Sequence, residues 1–241
     1  MNQETYLNNL LESHKIILSG DQLQQLMAFY VCLIEQNKVM NLTAITEFEE
    51  VCRKHFLDSL SINRLPGMME SAKTLLDVGC GAGFPGLVLA IAYPKVQVTL
   101  LDSLQKRIGF LNSVIDQLGL SNCKAVHGRA EDLAREKSHR ESYDLVVSRA
   151  VANLSTLSEY CLPFVRQDGF FVAYKSAKIA EEAPAAQQAI KILGGRSEEG
   201  AEFYLTKDSP EDYRNLYVIR KTGRTPGKYP RKAGLPAKEP L

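Results

Sequence analysis

The feature that most limits the fold is a regular alternation of short apolar segments with helical patterns from residue 73 onward. Each apolar segment is bounded by turn residues and rich in Val, Leu or Phe, which is typical of a strand. We predict five such strands, at residues 74–78, 96–101, 124–127, 143–148 and 169–174. Strands that alternate with helices form βαβ units, so the sequence predicts an α/β fold with a mainly parallel sheet.

Helices precede this region and a hairpin follows it. Apolar residues recur at helical spacing over 22–36, with Asp21 as the predicted N-cap, and again over 48–64. Strands at 202–206 and 215–219 follow a helix near 179–193. Residues 207–214 are too few for a helical crossover, so these strands should pair antiparallel. We divide the chain into an N-terminal helical extension (1–70), an α/β domain (71–220) and a tail (221–241).

The composition excludes several classes of protein. The 241 residues are 45% hydrophobic and 24% charged, an ordinary globular mixture that can bury its own core. No apolar run approaches the roughly 20 residues that span a bilayer, and no secretory signal is visible at the start. Five scattered cysteines without a CxxC pair indicate neither a disulfide framework nor a metal site. We therefore expect a cytoplasmic protein that does not associate with membranes.

The net charge of +1 conceals an asymmetry along the chain. Residues 220–241 carry seven basic side chains against one acid, a net +6, so the other 219 residues must carry −5. Four prolines and three glycines after residue 221 argue against regular secondary structure in this tail. The tail should be either mobile or held by a partner. Its positive charge indicates that it binds phosphate groups.

A glycine turn after the first strand is the sharpest local motif. It reads Asp77-x-Gly79-x-Gly81-x-Gly83 and lies between a strand and a helix, where open α/β sheets bind ligands. Residues 81–86 also match the dinucleotide pattern GxGxxG, which alone is weak evidence for a nicotinamide cofactor. An acid before the glycines favours a ligand with an ammonium group, such as S-adenosylmethionine. A turn without any ligand is the remaining alternative.

Acidic residues after the next two strands could complete such a site. Asp102 ends the second strand, where a carboxylate can accept hydrogen bonds from ribose hydroxyls. It could equally cap the following helix. Glu131 or Asp132, after the third strand, could bind adenine, or could simply favour the start of a helix through their charge.

The chain resembles the RsmG (GidB) family of bacterial methyltransferases from residue 41 to the C-terminus. The matching segments, in order, are NLT (41–43), KHFLDS (54–59), DVGCGAGFPG (77–86), DSLxKR (102–107), RAE (129–131), SRAVA (148–152) and YPRKAGLP (229–236). The glycine turn alone would indicate only a methyltransferase. The KHFLDS, SRAVA and YPRKAGLP segments make the resemblance much narrower.

The resemblance implies a class I, Rossmann-like fold with a seven-stranded, mostly parallel sheet and an N-terminal helical extension. It implies transfer of a methyl group from S-adenosylmethionine to N7 of a guanine in 16S ribosomal RNA, free or in a small-subunit assembly intermediate. It also implies that Gly79, Phe84, Ala130 and Glu131 contact the cofactor, with Phe84 able to cover it, and that Arg149 lies beside it. We expect a monomer without a bound metal and without a catalytic acid or base.

Several residues could contact RNA. His55 and Asp58 share a helical face and could line the RNA side of the site, although a structural hydrogen bond to the sheet is the favoured interpretation. Lys228, Arg231 and Lys232 in the tail should contact RNA phosphates, so deletion of residues 222–241 should weaken RNA binding but not cofactor binding. The alternatives to a methyltransferase are a nicotinamide-dependent oxidoreductase and an RNA-binding assembly factor without catalytic activity.

Overall fold

The computed structural model describes residues 2–206 and 210–241 and contains a seven-stranded sheet. The strands lie side by side in the order β3-β2-β1-β4-β5-β7-β6. Their bounds are β1 Thr74–Val78, β2 Gln97–Asp102, β3 Cys123–His127, β4 Tyr143–Arg149, β5 Val165–Lys175, β6 Gly195–Tyr204 and β7 Tyr213–Lys221. The five predicted strands of the alternating region are all present, as is the predicted C-terminal pair.

Strand directions follow the expected pattern. Strand β1 pairs in parallel with both β2 and β4, β2 with β3, and β4 with β5. Strand β7 runs antiparallel to both β5 and β6, which confirms the hairpin. Because β1 to β5 are parallel, their carboxyl ends meet at one edge of the sheet. The order of the chain reverses between β1 and β4, and ligands bind at such a point in open α/β sheets.

The helices cover both faces of the sheet. Their bounds are α1 Gln3–Ser13, α2 Gly20–Met40, α3 Phe48–Val51, α4 Asp58–Leu60, α5 Met68–Ser71, α6 Gly86–Ala92, α7 Gln105–Leu118, α8 Ala130–Leu133, α9 Leu154–Cys161, α10 Ile179–Ile192 and α11 Leu235–Lys238. The predicted N-cap of α2 is wrong. Ser19 is the N-cap and forms a reciprocal capping box with Gln22, so Asp21 lies inside the helix.

The predicted helix over 48–64 is helical throughout but not uniform. A π-helical turn over Cys52–Leu57 joins α3 to α4, and a 3₁₀ turn over Ser61–Arg64 ends the segment. A π turn widens the helix and changes the direction of its side chains, and such turns are frequent at functional sites. His55 lies within this turn and Asp58 directly follows it.

The N-terminal helices share one apolar core with the sheet. Phe29 of α2 and Phe56 of the π turn are fully buried and pack near Phe84 of the glycine turn, with ring centroids 5.2 and 6.3 Å from it. The same cluster continues through β1, β2 and β7. The N-terminal extension therefore forms one wall of the sheet's core. No helix among the described residues is long and apolar enough to cross a membrane.

Strand β6 begins seven residues earlier than residue 202, where the sequence predicts it. Its first half is an exposed edge, held by main-chain pairing to β7 and interrupted by a register shift between Glu198 and Ala201. Backbone hydrogen bonds of this kind leave no apolar periodicity in the sequence. Within the predicted connection at 207–214, residues 207–209 lie outside the described residues.

The tail is bound to the body of the protein. It contains the short helix α11, contrary to the prediction that it lacks regular structure. Arg140 donates hydrogen bonds to the carbonyls of Thr225 and Tyr229. The guanidinium of Arg231 lies 2.7 Å from the carboxylate of Glu159, a residue of α9 with no exposed surface. Arg231 therefore forms an internal ion pair, and its predicted contact with RNA phosphate stays a prediction.

We expect Arg231→Ala to lower the free energy of unfolding by about 3 kcal/mol, because it leaves the buried carboxylate of Glu159 without a counter-charge. Equilibrium urea unfolding measures this value. Lys232→Ala is the matched control, since Lys232 is exposed and adjacent and should change stability by less than about 0.5 kcal/mol. Equal stabilities of the two variants would contradict a role for Arg231 in anchoring the tail.

Candidate cofactor and substrate site

The glycine turn is shaped by close backbone packing at the end of β1. The N–H groups of Gly79 and Cys80 both donate to the carbonyl of Leu101, which ties the turn to β2. Gly79 has a φ of +73°, and a Cβ placed there would lie 2.5 Å from Cγ2 of Val151. A side chain is therefore excluded at this position both by conformation and by space.

Asp77 is a buried carboxylate with an unused acceptor. Its Oδ2 accepts a hydrogen bond from the N–H of Gly86 at 2.7 Å, whereas its Oδ1 is buried without a hydrogen-bond partner among the described residues. Burial raises the pKa of Asp77 to about 7, and the Gly86 hydrogen bond opposes this shift. A ligand that brings an ammonium group would satisfy Oδ1 and hold the carboxylate ionised.

Asp102 lies at the end of β2 and is 3% exposed. Its Oδ1 accepts from the N–H of Leu104, and its Oδ2 accepts from the N–H of Gly81, both at 2.9 Å. The side chain of Arg107 lies 3.2 Å from Oδ2. Asp102 is not the N-cap of α7, which is Leu104, and it accepts the N–H of that N-cap residue instead. Since a carboxylate has about four acceptor positions, these bonds also leave room for a ribose hydroxyl, and that contact stays a prediction.

Four of the predicted cofactor residues meet in one cavity of about 150 Å³, called here the cofactor cavity. They are Gly79, Asp102, Ala130 and Glu131. The other residues that line the cofactor cavity were not predicted from the sequence. They are Val78, Leu101, Ser103, Gly128, Arg129, Val151 and Tyr160. Tyr160 comes from α9, and nothing in its local sequence distinguishes it.

The carboxylate of Glu131 is occupied by the tail. Its Oε1 accepts a hydrogen bond from the N–H of Gly234 at 2.8 Å, and the residue is 5% exposed. The tail thus supports a wall of the cofactor cavity. Deletion of residues 222–241 would free Glu131 and expose Glu159, so we now expect it to weaken cofactor binding as well as RNA binding.

Phe84 and Arg149 do not line the cofactor cavity. The ring of Phe84 is buried in the core and stacks on His55, with centroids 4.4 Å apart. A ring held there cannot fold over a ligand, which corrects the proposed covering role. Arg149, at the end of β4, forms an ion pair with Asp58 at 2.6 Å. Direct contacts of both residues with the cofactor stay predictions.

Arg149 instead lines a second cavity of about 610 Å³, called here the acceptor cavity. It also contains His55 and Asp58 and lies at the carboxyl ends of β4 and β5. Its other lining residues are Ile45, Lys54, Ala150, Val151, Ala152, Tyr174, Lys175, Ser176, Glu182 and Arg214. Val151 lines both cavities, so the two are neighbours across one side chain.

His55 and Asp58 make the structural contacts that were favoured from the sequence. His55 Nε2 is 2.9 Å from the hydroxyl of Thr43, and its Nδ1 is 3.3 Å from the guanidinium of Arg149. Asp58 binds Arg149 and also Arg214, the latter at 3.0 Å. Burial, assisted by the nearby Arg149 charge, lowers the pKa of His55 to about 3. His55 is therefore neutral at physiological pH and poorly suited to accept a proton.

The residues of the cofactor cavity fit S-adenosylmethionine. Asp102 lies where a ribose would bind, and the described wall includes apolar Val78 and Leu101. Asp77 does not line the cavity but lies next to its residue Val78, and its unpaired Oδ1 suits the ammonium group of this cofactor. A solved S-adenosylmethionine-dependent methyltransferase from Aquifex aeolicus has the same fold, with a TM-score of 0.52 and 16% identity over 70% of this chain and 92% of that one. The fibrillarin pre-rRNA processing protein of Methanococcus jannaschii also shares it, with a TM-score of 0.51 and 13% identity over 65% and 70%. Fold and site together define the class I, Rossmann-like methyltransferase fold.

Sequence comparison narrows this class to one family. The family model described as GidB, rRNA small subunit methyltransferase G, matches residues 22–207. A ribosomal RNA small subunit methyltransferase G from Lachnoclostridium phytofermentans is 51% identical over 96% of this chain and 94% of its own. One from Bacillus licheniformis is 49% identical over 96% and 95%. The chain belongs to the GidB family.

We expect Asp102→Ala to weaken S-adenosylmethionine binding by about 1–3 kcal/mol, because the ribose and the N–H groups of Gly81 and Leu104 lose an acceptor. Titration calorimetry on the folded variant measures the affinity. Asp132→Ala is the control, since Asp132 is exposed and does not line the cofactor cavity. An unchanged affinity of Asp102→Ala would remove this residue from the site.

Proposed function

We propose that this methyltransferase transfers a methyl group from S-adenosylmethionine to N7 of a guanine in 16S ribosomal RNA. The observation that carries the proposal is the adjacency of two cavities across Val151, one suited to the cofactor and one large enough for a base. The family's small-subunit RNA methyltransferases support the choice of RNA.

The reaction requires mainly that the protein position the methyl donor and the guanine. When bound, S-adenosylmethionine supplies a methyl group on a sulfonium, and guanine N7 can accept it through a lone pair because it carries no proton. The contributions of the chain are therefore orientation and electrostatics. Asp77 and Asp102 fix the cofactor end of the site, and the close contact of Gly79 with Val151 sets the boundary between the cavities.

Two titratable residues of the acceptor cavity, His55 and Asp58, are poorly placed to act as a general base, and the carboxylate of Glu182 is ion-paired with Lys175. His55 has a pKa of about 3, stacks on Phe84 and is held by Thr43. The carboxylate of Asp58 is shared between Arg149 and Arg214. Methylation of an exocyclic amine or a hydroxyl would call for a positioned base, whereas attack by N7 does not. This arrangement favours N7 as the acceptor.

The acceptor base must leave its helix to reach the site. In A-form RNA the N7 atom lies in a deep and narrow groove that side chains cannot enter. A target in a loop, or flipped out of the stack, could occupy the acceptor cavity, whose volume lies in the range of small-molecule sites. We place the reaction in the cytoplasm, with a monomer acting on the RNA or on a small-subunit assembly intermediate.

The positive surface of the tail is smaller than its composition indicates. Of its six basic residues, Lys221 is paired with Glu141 and Arg231 with Glu159. Lys228 and Lys232 are exposed, and the ammonium of Lys228 lies 5.2 Å from the ring centroid of Tyr229. These two lysines are the proposed phosphate contacts.

A single-turnover assay with tritiated S-adenosylmethionine and 16S RNA tests the reaction. Label should appear at guanine N7, and the rate with both substrates saturating should change little between about pH 6.5 and 8.5, because neither N7 nor His55 titrates there. His55→Asn should lower stability or RNA affinity more than the chemical rate. A rate that rises log-linearly with pH and loses this rise in His55→Asn would favour a base-assisted reaction.

We expect the double variant Lys228→Ala, Lys232→Ala to bind RNA more weakly and with a shallower salt dependence, by about 0.7–0.9 in the log–log slope for each phosphate that is no longer neutralised. Filter binding from low to high salt measures the slope. Lys95→Ala is the control, because Lys95 is exposed just before β2, at the opposite edge of the sheet from the site. The same slope in the double variant and the wild type would exclude these lysines.

A further inference from the structure

An ion pair in the acceptor cavity has no role in the function proposed so far. Lys175 ends β5, and Glu182 lies in the first turn of α10. The Lys175 ammonium is 2.6 Å from Oε2 of Glu182, and their side chains are only 10% and 21% exposed. Both line the acceptor cavity, together with Arg149 and Val151.

The pair keeps unused hydrogen-bonding capacity. The Lys175 ammonium donates to Glu182 and to the carbonyl of Ala152 at 2.7 Å, which accounts for two of its three protons. Oε2 of Glu182 also accepts the N–H of Leu154 at 2.8 Å. No hydrogen bond among the described residues uses Oε1 of Glu182. The pair therefore offers the cavity one donor beside one carboxylate oxygen.

We propose that Lys175 and Glu182 read the Watson–Crick edge of the target guanine, an inference that rests on the proposed function. That edge presents the acceptor O6 beside two donors, N1–H and the 2-amino group. The ammonium of Lys175 would donate to O6, and the carboxylate of Glu182 would accept from N1–H and the 2-amino group. N7 lies on the other side of the base and stays free for the methyl group.

The same pair rejects the commonest wrong base. Adenine presents a donor, its 6-amino group, where guanine has O6, and an acceptor, N1, where guanine has N1–H. The 6-amino group would face the ammonium of Lys175, and N1 would face the carboxylate of Glu182. Donor would meet donor and acceptor would meet acceptor, so two buried groups would be left unpaired. Discrimination by unpaired polar groups is much stronger than discrimination by shape.

A carboxylate at this edge would also assist the reaction. As N7 takes up the methyl group, positive charge spreads over the guanine ring and N1–H becomes more acidic. Its hydrogen bond to Glu182 therefore strengthens in the transition state, which lowers the barrier rather than only increasing substrate affinity. The charge of Lys175 is balanced within the pair, so the ammonium does not oppose this charge.

Replacement of the target guanosine by inosine tests the assignment, because inosine lacks only the 2-amino group. We compare kcat/KM for RNA with guanosine or inosine at the target, using the wild type, Glu182→Ala, Glu182→Gln and Glu181→Ala. The wild type should favour guanosine about ten-fold or more, the effect of removing one hydrogen bond to a charged group. Both Glu182 variants should reduce this preference to near one. Glu181, adjacent and exposed, is the control and should keep it.

A second readout does not depend on turnover. Equilibrium binding of the two RNAs without cofactor should show the guanosine preference in the wild type and in Glu181→Ala but not in the Glu182 variants. A purely structural tie between β5 and α10 would lower activity on both RNAs equally and leave the ratio unchanged, which would overturn the assignment. If wild-type enzyme places no label at guanine N7, the proposed function fails and the assignment fails with it.

Discussion

The site depends on a carboxylate that the fold buries at the centre of the sheet. Asp77 is the penultimate residue of β1, and the hydrogen bond that it accepts from the N–H of Gly86 joins that strand to the start of α6. A Cβ on Gly86 would lie 2.7 Å from Cβ of Asp77, so the glycine is needed for this close approach. The other oxygen of Asp77 is buried without a partner among the described residues, so a ligand with a hydrogen-bond donor could lower the cost of burying this carboxylate.

A second carboxylate, Asp58, fixes the other half of the site. It follows the π turn and bridges Arg149 of β4 and Arg214 of β7, so it ties the N-terminal helices to two strands. The same bridge forms part of the wall of the acceptor cavity, where one carboxylate faces two guanidinium groups. Buried charges that are paired in this way give a rigid boundary instead of a proton acceptor, which suits a reaction in which no proton must move.

The tail shows that a basic residue can neutralise a buried acid of the same protein. By composition it is a basic segment that should bind phosphate. In the structure Arg231 neutralises Glu159 and Gly234 holds Glu131 at the cofactor cavity. The segment therefore packs against the α/β domain and supports a wall of the cofactor cavity.

Local sequence patterns predicted the succession of strands and helices along the chain and the position of the glycine turn. Both depend on local properties, namely apolar periodicity and the conformations that only glycine adopts easily. The sequence also identified Gly79, Asp102, Ala130 and Glu131, which meet because parallel strands end at one edge. Only the tertiary structure decided that Phe84 is buried, that Arg231 meets Glu159 and that Lys175 meets Glu182 inside a cavity. These contacts depend on which distant segments pack together and on how far each charge is removed from water, and neither quantity is encoded in the local pattern of residues.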